Sequence, residues 1–83
     1  MGEIAINVKL TGQFKELAPE GCENGVFTVR READLTLSAL LSGLGVEGAG
    51  VNYTVLVNNL RKPKDYALAD SDSVTVMPLL AGG

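Results

Sequence analysis

The chain has 83 residues, 46% of them hydrophobic, with one cysteine, no histidine and a formal charge of −3. That length supports one hydrophobic core and excludes two, and a lone Cys22 excludes an intrachain disulfide, a CxxC metal site and a redox pair. The acidic balance argues against a nucleic-acid ligand, which needs clustered Lys and Arg, and suits a basic partner surface instead.

Residues 3–11, EIAINVKLT, alternate Ile4, Ile6, Val8 and Leu10 with Ala5, Asn7, Lys9 and Thr11, the period of a strand with one buried face. GQFKELAPEGCENG follows as a connection, with glycines at 12, 21 and 25 and with Pro19. Within it FKELA is expected to make one helical turn that Phe14 and Leu17 pin to the core. VFTVR, residues 26–30, is β-branched and aromatic, and pairs with the first strand as an antiparallel hairpin.

In READLTLSALLSGLG, Leu37, Leu40, Leu41 and Leu44 fall at i, i+3, i+4 and i+7, one apolar stripe of a helix. Asp34 or Thr36 is the N-cap candidate, and Gly45 closes the C-terminal side. GVEGAGVN then reads as a glycine-rich surface loop. YTVLVNN, residues 53–59, is a strand with Val55 and Val57 on one face, and Asn58-Asn59 tolerates the positive φ of a tight hairpin turn. LRK is a short strand ended by Pro63, which suits a sheet edge because proline cannot donate to a ladder. KPKDYALADSDS is turn-rich, and VTVMPL, residues 74–79, is the last strand. The order β-β-α-β-β-β gives one helix to cover one face of one mixed sheet, a two-layer α+β domain over residues 1–83, with 80–83 expected to be a flexible tail.

The absence of histidine removes the commonest general base and a common metal ligand, so most hydrolase templates fail. Cys22, beside Glu23, reads as an incidental loop thiol. Asp70-Ser71-Asp72 lacks the glycine and distal glutamate of an EF-hand loop and reads as a turn entering the last strand. Gly43, Gly45 and Gly48 match GxGxxG, but this stretch closes a helix where the dinucleotide fingerprint opens one. No stretch reaches transmembrane length, and the start, MGEIAINVKL, lacks the basic and continuously apolar signature of a signal peptide, so a cytoplasmic protein is expected.

The chain ends in MPLLAGG. A terminal carboxylate becomes a good electrophile once it is an acyl adenylate, when AMP is a leaving group for a sulfur or nitrogen nucleophile. Gly82 and Gly83 give the narrowest possible backbone for threading an active-site channel, and Ala81 keeps the approach slim.

On VKLTGQFKELAPE, TLSALLSGLG, VLVNN and ADSDSVTVMPLLAGG, the chain resembles the ubiquitin-like sulfur carriers, the family of the molybdopterin synthase small subunit (MoaD) and the thiamine-pathway carrier ThiS. The resemblance covers essentially the whole chain and implies the ubiquitin-like β-grasp fold. Pro78, four residues before Gly82, looks more like the molybdopterin branch. Ser71 stands where that family often has a glycine, and Leu79 where it often has a second proline.

The resemblance implies that the chain is a carrier and not itself an enzyme, and that it binds no cofactor. An adenylyltransferase related to the ubiquitin-activating enzymes would use ATP and magnesium to adenylate the Gly83 carboxylate. A persulfide sulfur donor would then leave a thiocarboxylate for a sulfur-accepting synthase subunit. Strand alternation adds a docking surface: with Val74 and Val76 facing Leu40 and Leu44, Met77 and Leu79 fall on the outer face near Leu56. Leu56, Met77, Pro78, Leu79, Leu80 and Ala81 are therefore the candidate partner-binding residues, against the plainer reading that they are core or scattered surface apolars. Two other functions stay open: a ubiquitin-like modifier conjugated to lysines through Gly83, and an interaction module whose final glycines fray.

Overall fold

The structure is a computed structural model and describes residues 2–20, 24–46, 48, 50 and 52–79. Cys22 and the tail residues Leu80, Ala81, Gly82 and Gly83 lie outside the described residues, as do positions 47, 49 and 51 of the glycine-rich loop. Chain order is β1 (Glu3–Leu10), a 3-10 helix (Gly12–Leu17), β2 (Val26–Glu32), α1 (Leu37–Leu44), β3 (Tyr53–Val57), β4 (Leu60–Arg61) and β5 (Ser73–Pro78). The strands form one mixed sheet ordered β2-β1-β5-β3-β4. β1 and β5 pair in parallel at its centre, and every other ladder is antiparallel.

Alternation sorts the sheet into two faces. Ile6, Val8 and Leu10 of β1, Val74 and Val76 of β5 and Val57 of β3 are buried with Leu37, Leu40 and Leu41 of α1. Each fully buried side chain of this size contributes roughly 1.5–3 kcal/mol. That burial holds α1, because an eight-residue helix is marginal by itself. Leu44, the last member of the predicted stripe, is only half-buried at the edge of this core.

Both ends of α1 are capped. The Thr36 hydroxyl accepts from the Ala39 N–H at 3.2 Å, which settles the N-cap in favour of Thr36; Asp34 lies in the preceding turn at φ +78°. Gly45, at φ +83°, reverses the chain so that Val46 N–H reaches the Leu41 carbonyl at 3.2 Å. The turn-rich 62–72 segment straps the start of the helix: Leu37 N–H donates to Tyr66 O and Ser38 N–H to Lys64 O, satisfying two of the four orphan donors there.

Four expectations need correction. Phe14 is buried as expected, but Leu17 is 36% exposed, because the 3-10 helix touches the core at Phe14 and carries Leu17 out past the Gly45 end of α1. β2 runs two residues further than VFTVR, since β1 continues to offer it partners at Ile4 and Glu3. After the expected turn at Asn58 (φ +52°) and Asn59 (φ +68°), β4 covers Leu60–Arg61, one residue short of LRK, its ladder with β3 ending at Leu56↔Arg61. β5 runs over 73–78 and not 74–79, its ladder being set by Asn7↔Ser73 at one end and Tyr53↔Pro78 at the other.

Candidate functional site

The candidate site begins where β5 delivers the tail. On the β1 side, the Val76 carbonyl accepts from both the Thr11 N–H (3.1 Å) and the Thr11 hydroxyl (3.0 Å). On the β3 side, Tyr53 is the cross-strand partner of Pro78, and Leu79 N–H donates to Asn52 O at 2.9 Å, one residue beyond the last rung. The β1 side therefore holds the chain as far as Val76 and the β3 side as far as Leu79.

Pro78 shares the parity of Val74 and Val76, so its ring turns toward the helix-side face. It packs there against Gly12, whose φ of +58° is left-handed; a Cβ added at Gly12 would lie 2.6 Å from Pro78 Cγ. Tyr53 continues this layer. Its ring meets Phe14 edge-on at 5.9 Å and 84°, and Lys64 Nζ lies 5.5 Å from its centroid. The buried Tyr53 hydroxyl has no hydrogen-bond partner among the described residues.

The opposite parity builds the outer face. Leu56 stands across from Thr75 and Met77 across from Thr54, which makes Leu56 and Met77 diagonal neighbours. Both are half-buried, and Leu79, next on the same side, is 52% exposed. Lys9 opposes Thr75 from β1 and Arg61 opposes Leu56 from β4, so a cation stands on either side of this small apolar strip.

The candidate partner-binding residues therefore divide. Leu56 and Met77 come together on the outer face with Leu79 next to them, Pro78 turns to the opposite face, and Leu80, Ala81, Gly82 and Gly83 lie outside the described residues. The sequence reading missed the residues that brace the tail root: Thr11, Gly12, Asn52 and Tyr53. Counting alternate residues back from Pro78 through Val76 finds its face, but nothing in the sequence pairs it with Gly12.

The acidic turn is structural. Asp72 is 8% exposed; its carboxylate accepts from Asn58 Nδ2 at 2.9 Å and from Ala69 N–H at 2.8 Å. Asp70 Oδ1 accepts from Ala5 N–H at 2.7 Å, and Ser71 between them sits at φ +73°. No group of His, Cys, Asp or Glu among the described residues could hold a metal ion. No helix among them is long and apolar enough to cross a membrane.

No protein-family model matches the sequence, and no curated protein is similar to it. Solved structures are. The chain is similar to the HVO 2177 protein of Haloferax volcanii (24% identity, 99% of this chain and 89% of the other, TM-score 0.77). It is also similar to small archaeal modifier protein 1 of the same organism (19%, 93% and 99%, TM-score 0.74). A third likeness is to a protein of Pyrococcus furiosus described as molybdopterin converting factor subunit 1 (17%, 93% and 99%, TM-score 0.75). The fold is thus the ubiquitin-like β-grasp, with one mixed five-stranded sheet on one helix, in agreement with the resemblance seen in the sequence.

Proposed function

We propose, on the premise of this ubiquitin-like β-grasp fold, that the protein is a sulfur carrier whose working group is the terminal carboxylate of Gly83. The observation that carries this reading is the tail root. A central strand, braced from both flanks as far as Pro78 and tied to Asn52 at Leu79, is followed in sequence by Leu80-Ala81-Gly82-Gly83, and a small apolar strip lies beside it.

In the reaction, a carboxylate oxygen of Gly83 attacks the α-phosphorus of ATP in an adenylyltransferase related to the ubiquitin-activating enzymes, with magnesium, and pyrophosphate leaves. A persulfide sulfur then attacks the activated carbonyl and AMP leaves. A second thiol cleaves the resulting acyl disulfide, so that the carrier keeps one sulfur as a thiocarboxylate and the donor becomes a disulfide. Such thiol chemistry belongs to a reducing compartment, the cytoplasm. The acceptor we favour is the large subunit of a molybdopterin synthase, on the strength of Pro78 in the tail and the likeness to the Pyrococcus furiosus protein. Thiazole assembly for thiamine would use the same cargo. The chain carries the sulfur and the partner enzymes do the bond making.

The likeness to small archaeal modifier protein 1 favours a second reading, in which a lysine amine attacks the same adenylate and an isopeptide bond forms at Gly83. Incubation with the adenylyltransferase, ATP, magnesium and a sulfur source distinguishes them. Intact mass should show one oxygen of Gly83 replaced by sulfur, whereas Gly-Gly remnants on the lysines of other proteins would favour the modifier. Removing Gly82-Gly83 should abolish AMP formation in both cases, and unchanged AMP formation would sink both.

A further inference from the structure

We propose that Gly12 is a positioning residue for the tail, holding Pro78 in a close contact that aims the chain at Leu79 outward along the axis of β5. This inference rests on the proposed activation of Gly83. The root of the tail is gripped at three residues: Val76 by Thr11, Pro78 by Gly12 and its cross-strand partner Tyr53, and Leu79 by Asn52. Three of these contacts are made through main chain or through tolerated side chains. The Gly12 contact is different, because it exists only while position 12 has no Cβ.

The geometry of that contact is specific. A Cβ at position 12 would stand 2.6 Å from Pro78 Cγ and 3.1 Å from Cδ, both inside van der Waals contact, but 4.0 Å from Pro78 Cβ. Pro78 has no free rotamer, since its ring is closed on its own backbone nitrogen, and a change of pucker moves Cγ but leaves Cδ nearly in place. Displacement beyond what the pucker absorbs passes into the main chain at Pro78 and Leu79 and strains the Leu79 N–H bond to Asn52 O. Gly83, the residue of the proposed activation, is four residues beyond Leu79, so its carbonyl carbon can lie no more than about 14 Å away when extended. With so short a reach, the direction at Leu79 decides where a partner channel can receive the carboxyl group.

The contact also separates its effect from general damage. Alanine at position 12 introduces two faults, a left-handed backbone at φ +58° and the overlap with Pro78. Replacing Pro78 with alanine deletes Cγ and Cδ, the two atoms inside the overlap, and leaves the backbone fault at position 12 in place. Rescue of Gly12→Ala by Pro78→Ala therefore reports the steric relay and not backbone strain.

The test compares wild type, Gly12→Ala, Pro78→Ala and Gly12→Ala/Pro78→Ala in two measurements. Hydrogen exchange at the Leu79 amide should speed up about tenfold in Gly12→Ala relative to the amide of Thr54, and return to within about threefold of wild type in the double variant. AMP formation with the adenylyltransferase, ATP, magnesium and a sulfur source should fall about tenfold in kcat/KM for Gly12→Ala relative to wild type, while the double variant should match Pro78→Ala. Wild-type exchange at Leu79 in Gly12→Ala would overturn the proposal, and so would a double variant whose Leu79 amide exchanges as fast as in the single one. If the wild-type chain yields no AMP, activation of the tail fails as a reading, and the exchange data still decide whether Gly12 sets the chain at Leu79.

Discussion

Asn58 and Asp72 are joined side chain to side chain, the Asn58 amide nitrogen donating to Asp72 Oδ1 at 2.9 Å while Asn58 Oδ1 accepts from Ser73 N–H at 3.0 Å. One pair of residues thus ties the β3–β4 turn to the entry of β5. With Asp70 accepting from Ala5 N–H, both carboxylates of the acidic turn are spent on the chain's own donors, as a turn entering the last strand requires.

Asp72→Ala should destabilise the fold by about 2 kcal/mol, since it leaves Asn58 Nδ2 and the Ala69 N–H without their acceptor in a largely buried place. Urea unfolding measures it. A change within error would mean that water replaces both bonds.

Ser71→Gly should stabilise by about 0.5 kcal/mol. Ser71 holds φ +73°, which costs an L-residue about 1–2 kcal/mol, and the extra unfolded-state freedom of glycine returns part of that. The glycine common at this point in the resembling carriers thus has a backbone reason. A midpoint below that of wild type in urea would contradict it.

Thr36→Ala should cost about 1 kcal/mol, or some 4–8 °C of melting temperature, through loss of the bond to Ala39 N–H. Thr36→Ser should restore most of it. Equal melting points for all three proteins would show that the strap from Tyr66 and Lys64 suffices to hold the helix start.

Leu56→Ala combined with Met77→Ala should raise the KM of AMP formation by about tenfold with kcat little changed, if the outer face is where the activating partner docks. Both side chains are half-buried and diagonal on a face without the helix, so circular dichroism should stay near that of wild type. An unchanged KM would assign these residues to the sheet alone.

Much of this architecture is legible in the sequence because local periodicity and the core agree. Alternation through Ile4, Ile6, Val8 and Leu10, the stripe of Leu37, Leu40 and Leu41, and the Asn58-Asn59 turn all mark elements that the fold then uses. The rest is decided by contacts between segments far apart in the chain. Leu68 lies in a turn-rich run with no periodicity, yet it is buried because its N–H reaches Leu35 O and draws the strap over the helix. The charged end of β2 becomes strand only because β1 offers it a partner. In the candidate site, alternation finds the faces of Met77 and Pro78. The meeting of Pro78 with Gly12 depends on the parallel pairing of β1 with β5, which no local pattern encodes.

That parallel pairing has a mechanical consequence. β1 and β5 lie side by side at the centre of the sheet, with Asn7, Val8, Lys9 and Leu10 against Ser73, Val74, Thr75 and Val76. Because they run in the same direction, a pull that draws Leu79 away from Gly2 loads this ladder in shear. Its rungs must then give way together, whereas strands peeled apart from one end lose them one by one. Tension between Gly2 and Leu79 is therefore resisted along the length of this ladder, and the two central strands part only when its rungs fail together.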